Sequence, residues 1–368
     1  MKRTRLRFIW FIAILAALAA ILLYTRMNST TYLKDRVYHQ WKNAYVVEKN
    51  NQAYVKTTNS QTENVVLSEG QGYGMVIAVD AAKQGDADQA DFEQLYQYYL
   101  AQRLGDTQLM SWKQTVKGDE ISHADENNAT DGDLYIAYAL IQAAKQWPDK
   151  ADEYKAQAQA VLEDILRYNY NESNGVLTVG NWANAESEFY NLMRTSDTLP
   201  HQFEAFYELT NNQQWLTIKD NMLGKLEKIS AQTDTGLLPD FMWVEGDQVR
   251  VADANTVESE NDGFYSYNAC RLPYNLAQSK DKKSQALLDK MMQFFMEQDS
   301  IYAGYNLKGQ PLNSHQSGSF SAPVFYAANQ DRDFRKLVQQ NKYLFIQDLP
   351  SGNYYDAAMT TMVALGTL

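Results

Sequence analysis

Residues 131–147 read DGDLYIAYALIQAAKQW. Two aspartates open the segment, where the dipole of a helix favours negative charge. The rest is apolar around most of a helical circumference, which predicts a helix buried on nearly every side. Such a helix needs other helices around it, and the flanking sequence supplies them. DFEQLYQYYLAQRL (91–104) places Phe92, Leu95, Tyr99 and, less regularly, Leu104 along one stripe. Clear helical patterns also cover 151–168, 211–230 and 282–300, and weaker ones fall near 32–46, 72–84, 200–210, 265–278, 319–328, 331–342 and 354–366. NESNG (171–175), TDTG (233–236), KGQP (308–311) and PSGN (350–353) read as turns between them. There is no strand–helix alternation that would build a parallel sheet, and no fixed repeat period. About twelve helices over roughly 335 residues suit six antiparallel pairs closed into a ring, with a helical-repeat solenoid as the alternative.

The chain has 368 residues, 45% of them hydrophobic, and a formal net charge of −12. That charge argues against a nucleic-acid partner, since phosphates need a basic face, and is compatible with a neutral or cationic ligand. The 25 Tyr, 7 Trp and 14 Phe suit a groove where rings stack on sugars as well as a core. Cys270 is the single cysteine, so neither an intrachain disulfide nor a cysteine zinc cluster can form. His39, His123, His201 and His315 have no metal-ligand spacing. No metal and no cofactor are expected.

The first thirty residues differ in kind. Lys2, Arg3, Arg5 and Arg7 precede an uninterrupted apolar run from Phe8 to Tyr24, and Arg26 and a polar stretch follow. The basic end should stay in the cytoplasm. The run is at the lower limit for spanning a bilayer and long for a signal peptide, and ILLY after Ala20 fits cleavage poorly. The expectation is a retained single-pass anchor over residues 1–29, with secretion after cleavage as the alternative. Residues 30–368 then form one domain outside the cytoplasmic membrane.

Three polar stretches open helices beside apolar sequence. In SEGQGYG (68–74) one glutamate, Glu69, sits among three glycines after the apolar VVL. Partial desolvation there would raise its pKa. The second is ATDGD (129–133), opening the helix to Trp147, whose aspartates Asp131 and Asp133 either cap the helix or face a site. The third, VESENDGFYSYNACRLP (257–273), combines Glu258, Glu260, Asp262, Asn268 and Arg271 with aromatic residues. Carboxylates, an arginine and aromatics at one end of a helical ring are what sugar hydrolysis needs.

These motifs resemble glycoside hydrolase family 8. ATDGDLYIAYALIQAAKQW (129–147) fits that family's signature, and SEGQGYGM (68–75), LMSWK (109–113), RTSDTLPHQFEAF (194–206) and GLLPDF (236–241) read as family segments. The resemblance runs from about residue 35 to the C-terminus. It implies an all-α (α/α)6 barrel and inversion at the anomeric carbon; with the anchor read above, one N-terminal transmembrane helix precedes that barrel. It implies that Glu69 is the general acid, that Asp131 binds the sugar at the cleavage point, and that Trp112 lines a subsite. Tyr73 and Tyr267 follow from motif position as stacking or orienting residues, and Arg271 would steady an anion or a sugar hydroxyl. Trp182 is an aromatic in a plausible loop.

One position departs from the family pattern. Many members read Y-D-A-x-R where this chain reads YNACR (267–271), and in them the aspartate is the general base. An amide at Asn268 cannot do that work. A subgroup with chitosanases and lichenases also has asparagine here and takes its base from an upstream loop glutamate, which points to Glu258 with Glu260 as competitor. RTSD (194–197) is similar to that subgroup's R-P-S-D, with Thr195 for proline. The acid and base carboxyls should then lie about 6.5–9.5 Å apart, leaving room for a water. The expected function is an anchored endo-β-1,4-glucanase acting on mixed-linkage β-glucan or cellulose, which is compatible with association with a polysaccharide synthase. The alternatives are a chitosanase and an inactive polysaccharide-binding protein.

Overall fold

The structure is a computed structural model describing residues 2–58, 63–118 and 120–368, with side chains for all of these except 2–6 and 26–29. The basic side chains of Lys2, Arg3, Arg5 and Arg26 therefore lie outside the described residues. Twelve α-helices occur among the described residues: α1 (Lys2–Tyr45), α2 (Ser68–Gln84), α3 (Gln89–Ala101), α4 (Thr130–Gln146), α5 (Ala151–Tyr168), α6 (Pro200–Thr210), α7 (Gln214–Ser230), α8 (Leu272–Ala277), α9 (Lys282–Met296), α10 (Gly318–Gln330), α11 (Arg335–Asn341) and α12 (Tyr354–Thr367). The even-numbered helices touch in sequence, and α12 returns to α2, closing an inner ring. Each odd-numbered helix backs an inner one: α3 on α2, α5 on α4, α7 on α6, α9 on α8, α11 on α10 and α1 on α12. This is the (α/α)6 barrel.

The buried helix that decides the fold is α4. Its residues Leu134 to Ala137, Ala139 to Ile141, Ala143 and Ala144 are all buried, because it packs on α2, α5 and α6. Two inner helices come very close. A Cβ placed on Gly72 of α2 would lie 2.8 Å from the Tyr135 Cβ and 3.0 Å from the Gly132 carbonyl of α4. The glycines around Glu69 thus serve the contact between two inner helices.

Some elements differ from expectation. The segment near 265–278 contains only a 3-10 turn (Ala269–Arg271) and the short α8, with Pro273 in its first turn. The segment near 331–342 likewise begins as a 3-10 turn before α11. The apolar run and the helix near 32–46 form one continuous α1, as no Gly or Pro interrupts them. Val37, Tyr38, Trp41 and Tyr45 bury the face that packs on the barrel, whereas Phe8 to Leu15 and Leu18 to Tyr24 are exposed.

Ten short strands, absent from the helical reading, decorate the barrel. β1 (Val46–Lys49) and β2 (Gln52–Val55) form a hairpin whose turn residues Asn50 and Asn51 both have positive φ. β3 (Asn64–Leu67), β4 (Lys113–Lys117) and β5 (Glu120–Ala124) form one antiparallel sheet. β6 (Tyr170–Asn171) pairs with β7 (Val176–Leu177), and β8 (Leu192–Arg194), β9 (Phe241–Glu245) and β10 (Gln248–Val251) make a second three-stranded sheet, ordered β10-β9-β8. Both three-stranded sheets stand where the chain enters inner helices, and so they wall the site.

Candidate active site

A cleft of about 670 Å³ opens at the N-terminal ends of the inner helices. Glu69 comes from the first turn of α2, Asp131 from that of α4, and Tyr354 and Tyr355 from that of α12. The partial positive charge at these helix starts favours carboxylates. Trp112, Trp182, Phe189, Tyr267, Asn268 and Glu258 also line the cleft.

Arg271 is the hub beneath it. Nη1 donates to Glu69 Oε2 (2.6 Å), to the Tyr73 hydroxyl (2.8 Å) and to Asp131 Oδ2 (3.1 Å). Nη2 donates to Ser196 Oγ (2.7 Å) and Asn268 Oδ1 (2.9 Å). The side chain is 1% exposed, so the anions it steadies are the protein's own carboxylates. Its expected contact with a sugar hydroxyl is corrected accordingly. Tyr73 is also corrected: it is fully buried, edge-on to Tyr135 and bonded to Arg271, so no sugar can stack on it.

A second guanidinium, Arg194 at the end of β8, heads the RTSD segment, and its role is visible only in the structure. Nη1 lies 2.9 Å from Asp131 Oδ1, and Nη2 lies 3.5 Å from Glu258 Oε1. Asp131 thus sits between two arginines. Burial alone would raise its pKa, but Arg194 and Arg271 outweigh burial and hold it below the ordinary value, as an anion. Asp133 has a different task. It accepts from the Met110 backbone N–H and the Asn128 amide, both at 2.8 Å, and burial raises its pKa to about 8. Of the two aspartates in ATDGD, only Asp131 lines the cleft.

Glu69 has the surroundings of an acid. Burial raises its pKa, and the neighbouring Asp131 adds to this. Arg271 opposes, as does the Tyr354 hydroxyl, which donates to Oε1 at 2.7 Å; the net direction is upward. Its side chain keeps 19% exposure toward the cleft.

Glu258 is held differently. Its side chain is 47% exposed, and Oε2 accepts from the Asn268 amide at 2.9 Å. Its loop is built on the buried Asp262, which accepts backbone N–H groups of Val257 (2.6 Å), Glu258 (3.0 Å) and Ser259 (2.9 Å). Asn268 is set by Asp240, whose Oδ1 accepts the N–H groups of Ser266, Asn268 and Ala269 at 2.7–3.1 Å. Glu260 is exposed and is not among the residues that line the cleft. Tyr267 is 44% exposed at the rim, edge-on to Phe320. Trp182 is edge-on to Phe189, and the two form an aromatic wall.

An acid in a raised-pKa pocket and an exposed carboxylate share one cleft lined with aromatic rings. Residues 11–367 match the profile of Glycosyl hydrolases family 8. The chain belongs to that family. A β-glucanase from Niallia circulans is 33% identical over 301 residues, 78% of this chain and 72% of the relative. An endoglucanase from Bacillus sp. (strain KSM-330) is 30% identical over 274 residues, 71% of this chain and 58% of the relative. The apo structure of a β-1,3-1,4-glucanase from Paenibacillus sp. X4 superposes with a TM-score of 0.81 at 27% identity, covering 93% of this chain and 92% of that one. The family 8 barrel described here is therefore that of a glycoside hydrolase, similar to endoglucanases and lichenases.

Proposed function

We propose that this enzyme is an inverting endo-hydrolase of β-1,4 linkages in mixed-linkage β-glucan or cellulose, working outside the cytoplasmic membrane on an anchor formed by the start of α1. The observation that carries the reading is the contrast between two carboxylates on one cleft. Glu69, with its pKa raised, protonates the glycosidic oxygen as the bond to the anomeric carbon breaks. Glu258 takes a proton from a water that attacks that carbon from the opposite face. Asp131, fixed as an anion by Arg194 and Arg271, accepts hydrogen bonds from the hydroxyls of the sugar being cleaved. Trp112, Trp182 and Tyr267 offer ring faces or edges to neighbouring sugars.

Asn268 belongs to this scheme as an amide. Its carbonyl accepts from Arg271 and its NH2 donates to Glu258, so it joins the acid's arginine to the base. This supports membership of the subgroup in which asparagine stands for aspartate and a loop glutamate is the base.

Hydrolysis of barley β-glucan, carboxymethylcellulose and chitosan by residues 30–368, followed by viscosity, tests the substrate. The anomer first released, read by proton NMR, tests the stereochemistry. Rapid viscosity loss on barley glucan with an α-anomeric product is expected. Preference for chitosan is the second reading, favoured by the four acids Glu69, Asp125, Asp131 and Glu258 on the cleft. Binding to these polymers without cleavage would replace the catalytic reading with the binding one.

A further inference from the structure

The path of α1 carries an inference about how the cleft is presented. α1 runs antiparallel to α12 on the outside of the barrel. Its last residue, Tyr45, packs edge-on against Tyr354 with ring centroids 6.3 Å apart, and its hydroxyl donates to the Pro350 carbonyl at 2.5 Å. Tyr354 in turn bonds Glu69, so the C-terminal end of α1 lies at the level of the cleft. The other end of the packed part lies at the opposite end of the barrel. Lys34 feels the carboxylates of Asp80 and Asp86, and Asp86 feels Asp35. Asp80 stands near the C-terminal end of α2 and Asp86 just beyond it, whereas Glu69 opens that helix. The chain therefore joins the barrel at the end away from the cleft, and the exposed apolar run continues outward from there as the same helix.

Charge points the same way. Residues 1–29 hold five Lys or Arg and no Asp or Glu, so every acidic residue belongs to the rest of the chain. An acidic barrel is repelled by anionic headgroups and gains nothing by lying down on them.

We propose that α1 is a stand-off strut: it holds the barrel with its closed end toward the bilayer and its cleft facing away, so that the enzyme takes polymer strands beyond the headgroup layer and not glycans carried on a membrane lipid. At 1.5 Å per residue, the helix from Tyr24 to Tyr45 sets the cleft about 30 Å beyond the end of the apolar run. The inference rests on the anchor reading above and adds direction and height to it.

The test uses the full chain in phosphatidylcholine vesicles that carry an energy-transfer acceptor on lipid headgroups. A donor dye is placed at one of two exposed positions, Gln84→Cys at the closed end or Asp253→Cys on the loop leading to the cleft; the native Cys270 is buried. Flotation with the vesicles is scored first, and failure to float removes the anchor reading itself. For protein that floats, transfer from position 84 should exceed that from position 253 by about twofold or more, given the helix rise between them. Equal or reversed transfer would overturn the strut while leaving the anchor standing. A ten-residue Gly-Ser insertion after Asn28 should erase the difference between the two labels yet leave hydrolysis of soluble glucan in detergent unchanged. Persistence of the difference in that variant would also contradict a strut.

Discussion

The Asn268 amide nitrogen donates to Glu258 Oε2 at 2.9 Å, and its carbonyl oxygen accepts from Arg271 Nη2 at the same distance. Asn268→Asp would keep the bond to Arg271 and set a second carboxylate against Glu258. Two carboxyls at hydrogen-bond distance share a proton, so one pKa rises. A base must be ionised to act, and the acid limb of kcat/KM should move up by about one pH unit or more. An unmoved limb would show that Asn268 does not govern the base.

Tyr354 tests the acid. Its hydroxyl donates to Glu69 Oε1 and so favours the ionised form. Tyr354→Phe removes that donor, and the pKa of Glu69 rises further. The alkaline limb of the kcat profile should then shift to higher pH, with a smaller loss at the optimum. A shift to lower pH would contradict Glu69 as the acid.

Asp197 links the site to stability. It is buried, its nearest cation is Arg194 at 3.7 Å, and neither carboxylate oxygen has a hydrogen-bond partner among the described residues. Burial raises its pKa from 3.8 to about 7, against the pull of Arg194. With the folded pKa above the unfolded one, the folded state holds the extra proton between these values. Stability therefore falls as pH rises from about 4 to 7, by an amount on the order of 4 kcal/mol. Asp197→Asn, which mimics the protonated form, should match the wild type in thermal unfolding near pH 4 and exceed it at pH 8. Equal Tm values at both pH values would contradict this account.

Much of this was legible in the sequence, for reasons that also explain what was not. α4 announced itself because nearly every one of its faces is buried, and the helix count followed from stripes such as Phe92, Leu95 and Tyr99. Glu69 and Asp131 were legible because each opens an apolar helix. The role of Arg194 was hidden although it heads RTSD, because that role arises from Asp131, 63 residues earlier in the chain. Tyr73 misled for the opposite reason, as its place in the motif could not reveal that its ring points into the core. The strands escaped because each is five residues or fewer, too short for alternation to stand out. The paired Asn50 and Asn51, and Gly246 and Asp247 between β9 and β10, were usable hairpin signals.

Gly132 tests the packing that aims Glu69. A Cβ there would overlap the Ser68 side chain and lie 2.8 Å from the Ser68 carbonyl carbon. Gly132→Ala must push α2 from α4, at a cost of about 1–3 kcal/mol. The adjacent Glu69 should be displaced, so kcat should fall well beyond what the loss of folded protein explains. Full kcat per folded molecule would show that the α2–α4 contact does not position the acid.

The most direct test of the central claim is the rate of glucan hydrolysis by Glu69→Gln, Glu258→Gln and Glu260→Gln beside the unaltered enzyme. Removing a general acid or base typically costs about 10²–10⁴ in rate. Losses of that size for Glu69→Gln and Glu258→Gln are predicted, with Glu260→Gln near the parent rate. An active Glu258→Gln beside an inactive Glu260→Gln, or an active Glu69→Gln, would contradict the assignment.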